Sequence, residues 1–412
     1  MKIAVFYNLP RGGGRRCILE LSKALTRKHT LDLYGLAIAG DNQVDSKDIF
    51  SAVHRFNCRY LYLKRPLGTF NILINFLNFY ILENTYKKIG QAINAGGYDV
   101  AFVHASYWDW LAAPDLLKYL KVPSAYYCQE PYRRYYEPQY FELPFKSLPY
   151  LPKLRRLLLD PFYQAYNYCF KIKDRRNIRC AKMILANSFY SQENIARVYG
   201  VSAKVSYLGV DSLFFKPLLG LPKENMIISV GVLEERRGYH FVIQAISMLS
   251  ENIRPKIAII SPYETEEVQE YKEYLKCLAV EKKVEISMHI GIDDRELCIF
   301  YNKAKLTVCA FLGEPFGLVA LESMSCATAV VAFREGGLKE SISDGQTGRL
   351  VSRDIKELSQ VIEGLLIDEK ERVRLGENAR QDVLNRWTWD KSAGSLEENF
   401  LQVIKNERKA NR

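Results

Sequence analysis

Short apolar runs alternate along the chain with longer stretches of helical period, the pattern of strands and crossover helices in a parallel sheet. The first runs predict strands over residues 3–7, 100–104, 124–128, 183–186 and 205–207. This series closes at Phe215-Lys216-Pro217, after which Pro217, Gly220 and Pro222 punctuate the chain as a linker does. A second series predicts strands over residues 226–230, 256–260, 284–289, 306–310 and 329–332. The expected fold is therefore α/β, with two Rossmann-like doubly wound domains over residues 1–217 and 218–385 facing a cleft. Such folds gather ligands at the carboxyl ends of the strands, where the strand order switches. The fold class names no reaction by itself.

Two stretches depart from the rhythm. Between Arg133 and Lys182, twelve basic residues stand against Glu137, Glu142, Asp160 and Asp174, with many tyrosines and prolines between them. Residues 131–182 are read as a basic, aromatic insertion. It suits docking on an anionic membrane surface, where each Lys or Arg contributes ~1 kcal/mol, and equally an acceptor-shaping loop or helical hairpin with solvated charges. The most apolar stretch, residues 67–82, is interrupted by Asn71, Asn75 and Asn78. It falls short of the ~20 residues a bilayer span requires, so no transmembrane helix is expected.

Composition narrows the class further. The chain has 412 residues, 48% hydrophobic and 25% charged, enough for two buried cores. Its 58 Lys and Arg against 47 Asp and Glu give a net charge of +11, which favours anionic partners without choosing among them. Nine cysteines are scattered without the close pairs of zinc or redox motifs. With no secretory signal in the opening residues, a reduced cytoplasmic protein is expected.

The segment richest in chemistry is Glu314-Pro315-Phe316-Gly317-Leu318-Val319-Ala320-Leu321-Glu322, directly after a predicted strand. Pro315 suits a helix start, where its missing amide costs nothing. The amides of Phe316, Gly317 and Leu318 would then be free, and with the helix dipole they make a site for a diphosphate, to whose donor-binding set Val319 is added. Glu322 lies two turns along and suits the vicinal hydroxyls of a ribose. Spacing alone leaves Glu314 as a loop carboxylate and Glu322 as an ordinary helix charge.

The continuation through Ser323-Met324-Ser325-Cys326-Ala327-Thr328, Glu335-Gly336-Gly337 and Asp344-Gly345-Gln346-Thr347-Gly348 closely resembles the donor-binding signature of the family 4 retaining glycosyltransferases (GT-B fold, group 1). Asn187-Ser188 with Ser191, and Gly209-Val210-Asp211 with Pro217, resemble that family's end of the first domain. Trp387-Thr388-Trp389-Asp390 resembles the start of its last helix, which implies that residues 386–412 cross back to the N-terminal domain. The likeness spans nearly the whole chain, weakly through residues 40–98 and 130–175. It implies an N-terminal acceptor domain, a C-terminal donor domain, Glu314 on the transferred sugar, Glu322 on the ribose, and a basic pair near Gly231 on the diphosphate. Arg237 occupies the usual lysine position of that pair, Val232 stands where arginine is usual, and Arg236 is a candidate substitute.

Leu9-Pro10-Arg11-Gly12-Gly13-Gly14-Arg15-Arg16 resembles the family's loop after the first strand, so Gly12, Gly13 and Gly14 become an acceptor or phosphate loop, with a plain tight turn as the alternative. The fingerprint G-x-G-x-x-G is not met, which argues against a nicotinamide enzyme. In Tyr126-Tyr127-Cys128-Gln129-Glu130-Pro131, Gln129 stands where many members carry a histidine; it can orient a hydroxyl but carries no proton charge. His104 and Glu130 are further candidates, and base recognition is expected around Ser261 and Ile290. The resemblance implies front-face attack with the donor phosphate as base, without a covalent intermediate. With no D-x-D motif, neither metal nor cofactor is expected; the substrates would be a nucleotide-diphosphate sugar and a saccharide or lipid-linked acceptor.

Rival readings are weaker. An epimerase needs an acid and base pair, and a phosphorylase a pyridoxal lysine; neither can be placed. A non-catalytic glycan-binding subunit fits the changes at Val232 and Gln129. No nucleic-acid motif accompanies the positive charge.

Overall fold

The computed structural model describes residues 1–9, 12–37, 48–61, 69–109, 111–137, 153–264 and 269–410. The chain divides into two compact units: residues 1–187, 192–206 and 393–412, and residues 188–191 with 207–392.

The first unit is built on seven parallel strands in the order β3-β2-β1-β4-β5-β6-β7. These are β1 (Lys2–Asn8), β2 (Thr30–Ala37), β3 (Ala52–Asn57), β4 (Val100–Ser106), β5 (Ser124–Cys128), β6 (Met183–Ala186) and β7 (Lys204–Val205). Its helices are α1 (Gly13–Leu25), α2 (Thr69–Ala95), the single turn α3 (Arg133–Tyr136), α4 (Lys153–Ile178) and most of α5 (Phe189–Tyr199). Strands β1, β4 and β5 are buried almost throughout, which is why they read as continuous apolar runs. Strand β2 was not expected, because Asp32 and Gly35 interrupt its apolar run. Asp32 is nevertheless buried, accepting a hydrogen bond from the Tyr98 hydroxyl at 2.7 Å, with Lys2 Nζ 3.8 Å away.

The second unit carries six parallel strands in the order β10-β9-β8-β11-β12-β13. They are β8 (Met226–Val230), β9 (Lys256–Ser261), β10 (Ile286–Ile290), β11 (Leu306–Cys309), β12 (Ala329–Phe333) and β13 (Arg349–Val351). Around them lie α6 (Tyr239–Ser247), α7 (Gln269–Glu281), α8 (Asp294–Lys303), α9 (Leu318–Ser325), α10 (Leu338–Ser341), α11 (Ile355–Ile367) and α12 (Glu369–Arg386). Strand β10 starts two residues later than expected, because the Val284 amide closes the end of α7 on the Ala279 carbonyl at 2.9 Å. The last helix, α13 (Trp389–Ala410), begins in this unit and runs into the first. There Leu396, Phe400, Val403 and Ile404 form one buried stripe, with Phe400 5.2 Å from Phe102 between ring centroids.

The basic insertion is partly core. Residues 138–152 lie outside the described residues, but the second half of α4 packs on α2. Tyr166, Phe170, Asp174, Asn177 and Ile178 form its buried face, with Tyr166 stacked on Phe79 at 5.2 Å. Lys173 is not a solvated surface charge: its Nζ lies 2.8 Å from both Asp109 Oδ1 and Asp115 Oδ2, two fully buried carboxylates. Helix α2 absorbs most of the apolar stretch at 67–82. Its Asn78 is buried because it pairs with both the amide and the carbonyl of Leu61 at 2.9 Å. No helix among the described residues is long and apolar enough to cross a membrane.

Candidate active site

In the second sheet the strand order switches between β8 and β11, whose continuations lead away to opposite edges. A doubly wound sheet opens its ligand crevice at this point. The residues after β8 and those after β11 therefore meet. Arg237 Nη1 donates to Glu314 Oε2 at 2.6 Å, with the two side chains 17% and 16% exposed. The guanidinium carbon lies 5.0 Å from the Phe311 ring centroid, and buried Nε has no acceptor among the described residues. Arg237 is held from behind by a 3-10 turn over Glu235–Arg237, tied to the chain after β11 by the Leu312 amide on the Arg236 carbonyl at 2.8 Å. Gly231 donates its amide to Ile260 at 2.9 Å and accepts from the Tyr239 hydroxyl at 2.7 Å, which fixes the end of β8.

Helix α9 begins at Gly317, whose φ of 96° is open to glycine and which supplies no capping side chain. The amides of Phe316, Gly317, Leu318 and Val319 have no acceptor among the described residues. Leu318 and Val319 are half-exposed, while the Phe316 ring is buried between Tyr207 and Trp387. The helix thus offers a set of amides at its positive end, one residue beyond the Arg237–Glu314 pair. The loop is braced on both sides. Ser188 Oγ donates to the Pro315 carbonyl at 2.6 Å, and the Gly337 amide to the Glu314 carbonyl at 2.8 Å. A Cβ at Gly336, where φ is 57°, would stand 2.1 Å from the Glu314 carbonyl oxygen, so the Gly-Gly pair is what lets this loop lie so close.

Glu322 is buried at 5% exposure, and its Oε2 accepts from the Tyr301 hydroxyl at 2.9 Å. Burial, then the neighbouring carboxylate, raises the Tyr301 phenol well above its usual range, so it stays a donor. Arg236 and Ser261 have partners within the chain. Arg236 directs Nε to Glu234 Oε2 at 2.5 Å, so its charge is already engaged. Ser261 and Ile290 do end neighbouring strands in register, but Ser261 is fully buried; its hydroxyl serves the Tyr263 carbonyl and its carbonyl the Gly291 amide, both at 2.8 Å. Its polar groups are thus spent within the fold, and Ile290 is half-buried.

In the first unit the switch lies between β1 and β4. Gly12 precedes α1 without a capping side chain, and Gln129 Nε2, at the end of β5, donates to the Gly14 carbonyl at 3.3 Å. Gly12, Gly13, Gly14 and Gln129 thus sit together, whereas Pro10 and Arg11 of the loop lie outside the described residues. Glu130 accepts from Arg133 Nε at 2.6 Å and is an ion-pair partner rather than an unengaged base. His104 leaves the site altogether: it is 1% exposed between Phe102 and Tyr127, and burial pushes its pKa down to about 3. A neutral core imidazole serves packing. The sequence reading missed Asn8, the last residue of β1, fully buried with neither Nδ2 nor Oδ1 paired among the described residues. Its signal is a carboxamide ending an apolar run just before a glycine loop.

Residues 213–382 match the family described as Glycosyl transferases group 1, and residues 11–212 match Glycosyltransferase Family 4. The chain belongs to the group 1, family 4 glycosyltransferases. This family 4 chain is 26% identical over 253 residues to D-inositol 3-phosphate glycosyltransferase of Xylanimonas cellulosilytica, covering 57% of its own length and 60% of the relative. It is 25% identical over 364 residues to mannosylfructose-phosphate synthase of Agrobacterium fabrum, covering 81% and 74%. Sucrose-phosphate synthase of Thermosynechococcus elongatus superposes with a TM-score of 0.73 at 17% identity, over 98% of this chain and 99% of that one. Anabaena HepE in complex with UDP and glucose gives 0.69 at 18%, over 97% and 99%. The two-unit architecture of this family 4 member is the GT-B fold.

Proposed function

We propose that this family 4 protein is a retaining, metal-independent glycosyltransferase. It would move a hexose-type sugar from a nucleotide-diphosphate donor to a saccharide or lipid-linked acceptor in cell-surface glycan or polysaccharide synthesis. The observation that carries this is the Arg237–Glu314 pair beside the unpaired amides at the start of α9, all at the strand-order switch of one sheet. A diphosphate on those amides would bring its sugar to Glu314 and its leaving oxygens to Arg237. The UDP and glucose held by the HepE neighbour make a nucleotide sugar the natural donor class.

In the proposed reaction an acceptor hydroxyl attacks the anomeric carbon on the face from which the diphosphate departs. The carbon–oxygen bond to phosphate breaks, the new glycosidic bond forms on the same face, and the hydroxyl proton passes to a departing phosphate oxygen. The chain's share is positioning and charge stabilisation by Arg237 and the α9 amides. Gln129 and the Gly12–Gly14 loop would orient the acceptor. A cytoplasmic location, peripheral on an anionic membrane, belongs to the same reading: a lipid-linked acceptor would be presented there, and α4 leaves Arg175 and Arg176 exposed.

The test is a transfer assay with UDP-, GDP- and ADP-sugars over a panel of acceptors, followed by NMR of the product anomer. Product with the donor's anomeric configuration supports the proposal; inverted product overturns retention. The second reading, a non-catalytic glycan-binding subunit, draws on half-buried Val232 at the family's arginine position and on the engagement of Arg236 by Glu234. Saccharide binding without turnover of any donor would favour it.

A further inference from the structure

Cys298 and Cys326 are both buried and stand 28 positions apart in sequence, yet their sulfurs lie 3.9 Å from each other. Cys298 sits in the second turn of α8 and Cys326 caps the end of α9, two helices that pack together. Both are free thiols on fixed backbone. A capping box between Asp293 and Glu296 closes the start of α8, and the Asn302 side chain donates to the Cys298 carbonyl at 2.9 Å. The Cys326 amide donates to the carbonyls of Glu322 and Ser323 at 3.1 and 3.0 Å.

The two thiols are not equivalent. A hydrogen bond from the Cys326 thiol, then contacts with the Lys216 backbone and the Asn302 amide, hold Cys298 below the usual thiol range against the burial that opposes them. Burial above all pushes Cys326 up. Cys298 also lies just under the surface: its sulfur is 3.7 Å from the carbonyl of Phe214, an exposed residue, so a hydroperoxide has a short path to it. We propose that Cys298 and Cys326 form a redox switch in the second unit, closing to a disulfide under a hydroperoxide and weakening nucleoside-diphosphate binding at the start of α9. The regulatory effect rests on the reading of the α9 amides as the diphosphate site.

In the first step the Cys298 thiolate attacks a peroxide oxygen, the O–O bond breaks, and the departing hydroxide takes up the proton that the thiol had released, forming water and a sulfenic acid. The Cys326 sulfur then attacks the Cys298 sulfur. The S–O bond breaks, the S–S bond forms, and the Cys326 proton leaves with the hydroxide as a second water. A disulfide holds its sulfurs about 2.05 Å apart, so closure draws α8 and the end of α9 together by up to about 2 Å. Helix α9 has only eight residues, so a displacement at Cys326 is carried to its start. A shift of about 1 Å there is enough to spoil a positioned ligand.

The test uses the full chain with exposed Cys169 and Cys277 replaced by serine, so that surface thiols do not cross-link molecules. One equivalent of hydrogen peroxide is added and peptide mapping locates the bridge. Calorimetry measures dissociation constants for UDP, GDP and ADP before oxidation, after it, and after reduction with dithiothreitol. Expected are a peptide cross-linked through Cys298 and Cys326, an affinity lowered about ten-fold for the diphosphate that the reduced chain binds, and full recovery on reduction. In Cys298→Ala peroxide should leave the affinity unchanged; if that variant does not fold, Cys326→Ala makes the same comparison. Absence of the cross-linked peptide, an unchanged affinity once the bridge has formed, or the same loss in Cys298→Ala overturns the switch. A reduced chain that binds none of the three diphosphates removes the donor-site reading and the switch with it.

Discussion

Arg237 and Glu314, 77 positions apart in sequence, meet at 2.6 Å where the strand order of the second sheet reverses. Each offsets the charge of the other, so a diphosphate bound as proposed would compete with a carboxylate for a guanidinium with five N–H groups in total. Arg237→Ala removes the cation that would meet the leaving group and is expected to reduce turnover about 10²–10³-fold. Glu314→Gln should also cost about 10²-fold. Melting temperatures near wild type, read beside the rates, separate this loss from unfolding.

Gly336→Ala should damage the same site through the backbone. The added Cβ would lie 2.1 Å from the Glu314 carbonyl, so the loop bearing Glu314 must shift, with stability falling by about 1–3 kcal/mol and turnover by about ten-fold or more. Gly345→Ala is the control, since its φ of 73° is equally left-handed but nothing stands within 4 Å of its Cβ. It should lose stability and keep activity, as urea unfolding and initial rates will show.

Lys173→Met strands Asp109 and Asp115 without their shared cation and should cost about 3–5 kcal/mol of stability. Adding Asp109→Asn should recover part of that loss, as a double-mutant cycle in urea can measure. No recovery would mean that α4 is held by its aromatic face instead.

The fold was legible where burial is continuous and partners are close in sequence. Strands β1, β4, β5, β8 and β12 read as apolar runs because both of their faces are covered. Strand β2 was hidden because Asp32 is buried with Tyr98, 66 positions away, and no local pattern announces such a partner. The same holds for Lys173, whose acidic partners lie on the segments after β4. Glu314 and Arg237 could be found because motif and topology agree on them. Tyr301 could not, because an isolated tyrosine on an apolar helix face reads as core until its hydroxyl is seen on Glu322.

One buried and one half-buried histidine, His104 and His240, set an acid limit on stability. Burial lowers His104 to about 3 and His240 to about 4, against an ordinary 6.5. Between pH 6.5 and 4 the unfolded chain takes up protons that both folded imidazoles refuse. Their contribution is therefore complete above pH 6.5 and falls as pH drops, by about 1.4 kcal/mol per unit for each histidine. His104→Phe should flatten this slope, shrinking the difference in urea midpoint between pH 7 and pH 5.

The most direct test of the proposed donor site compares equilibrium binding of nucleoside diphosphates with that of the matching monophosphates, in wild type and Arg237→Ala. If the diphosphate rests on the α9 amides and Arg237, wild type prefers one diphosphate by about ten-fold or more, and Arg237→Ala loses most of that preference. Equal affinity for mono- and diphosphate in wild type, or an unchanged preference in Arg237→Ala, would contradict the account.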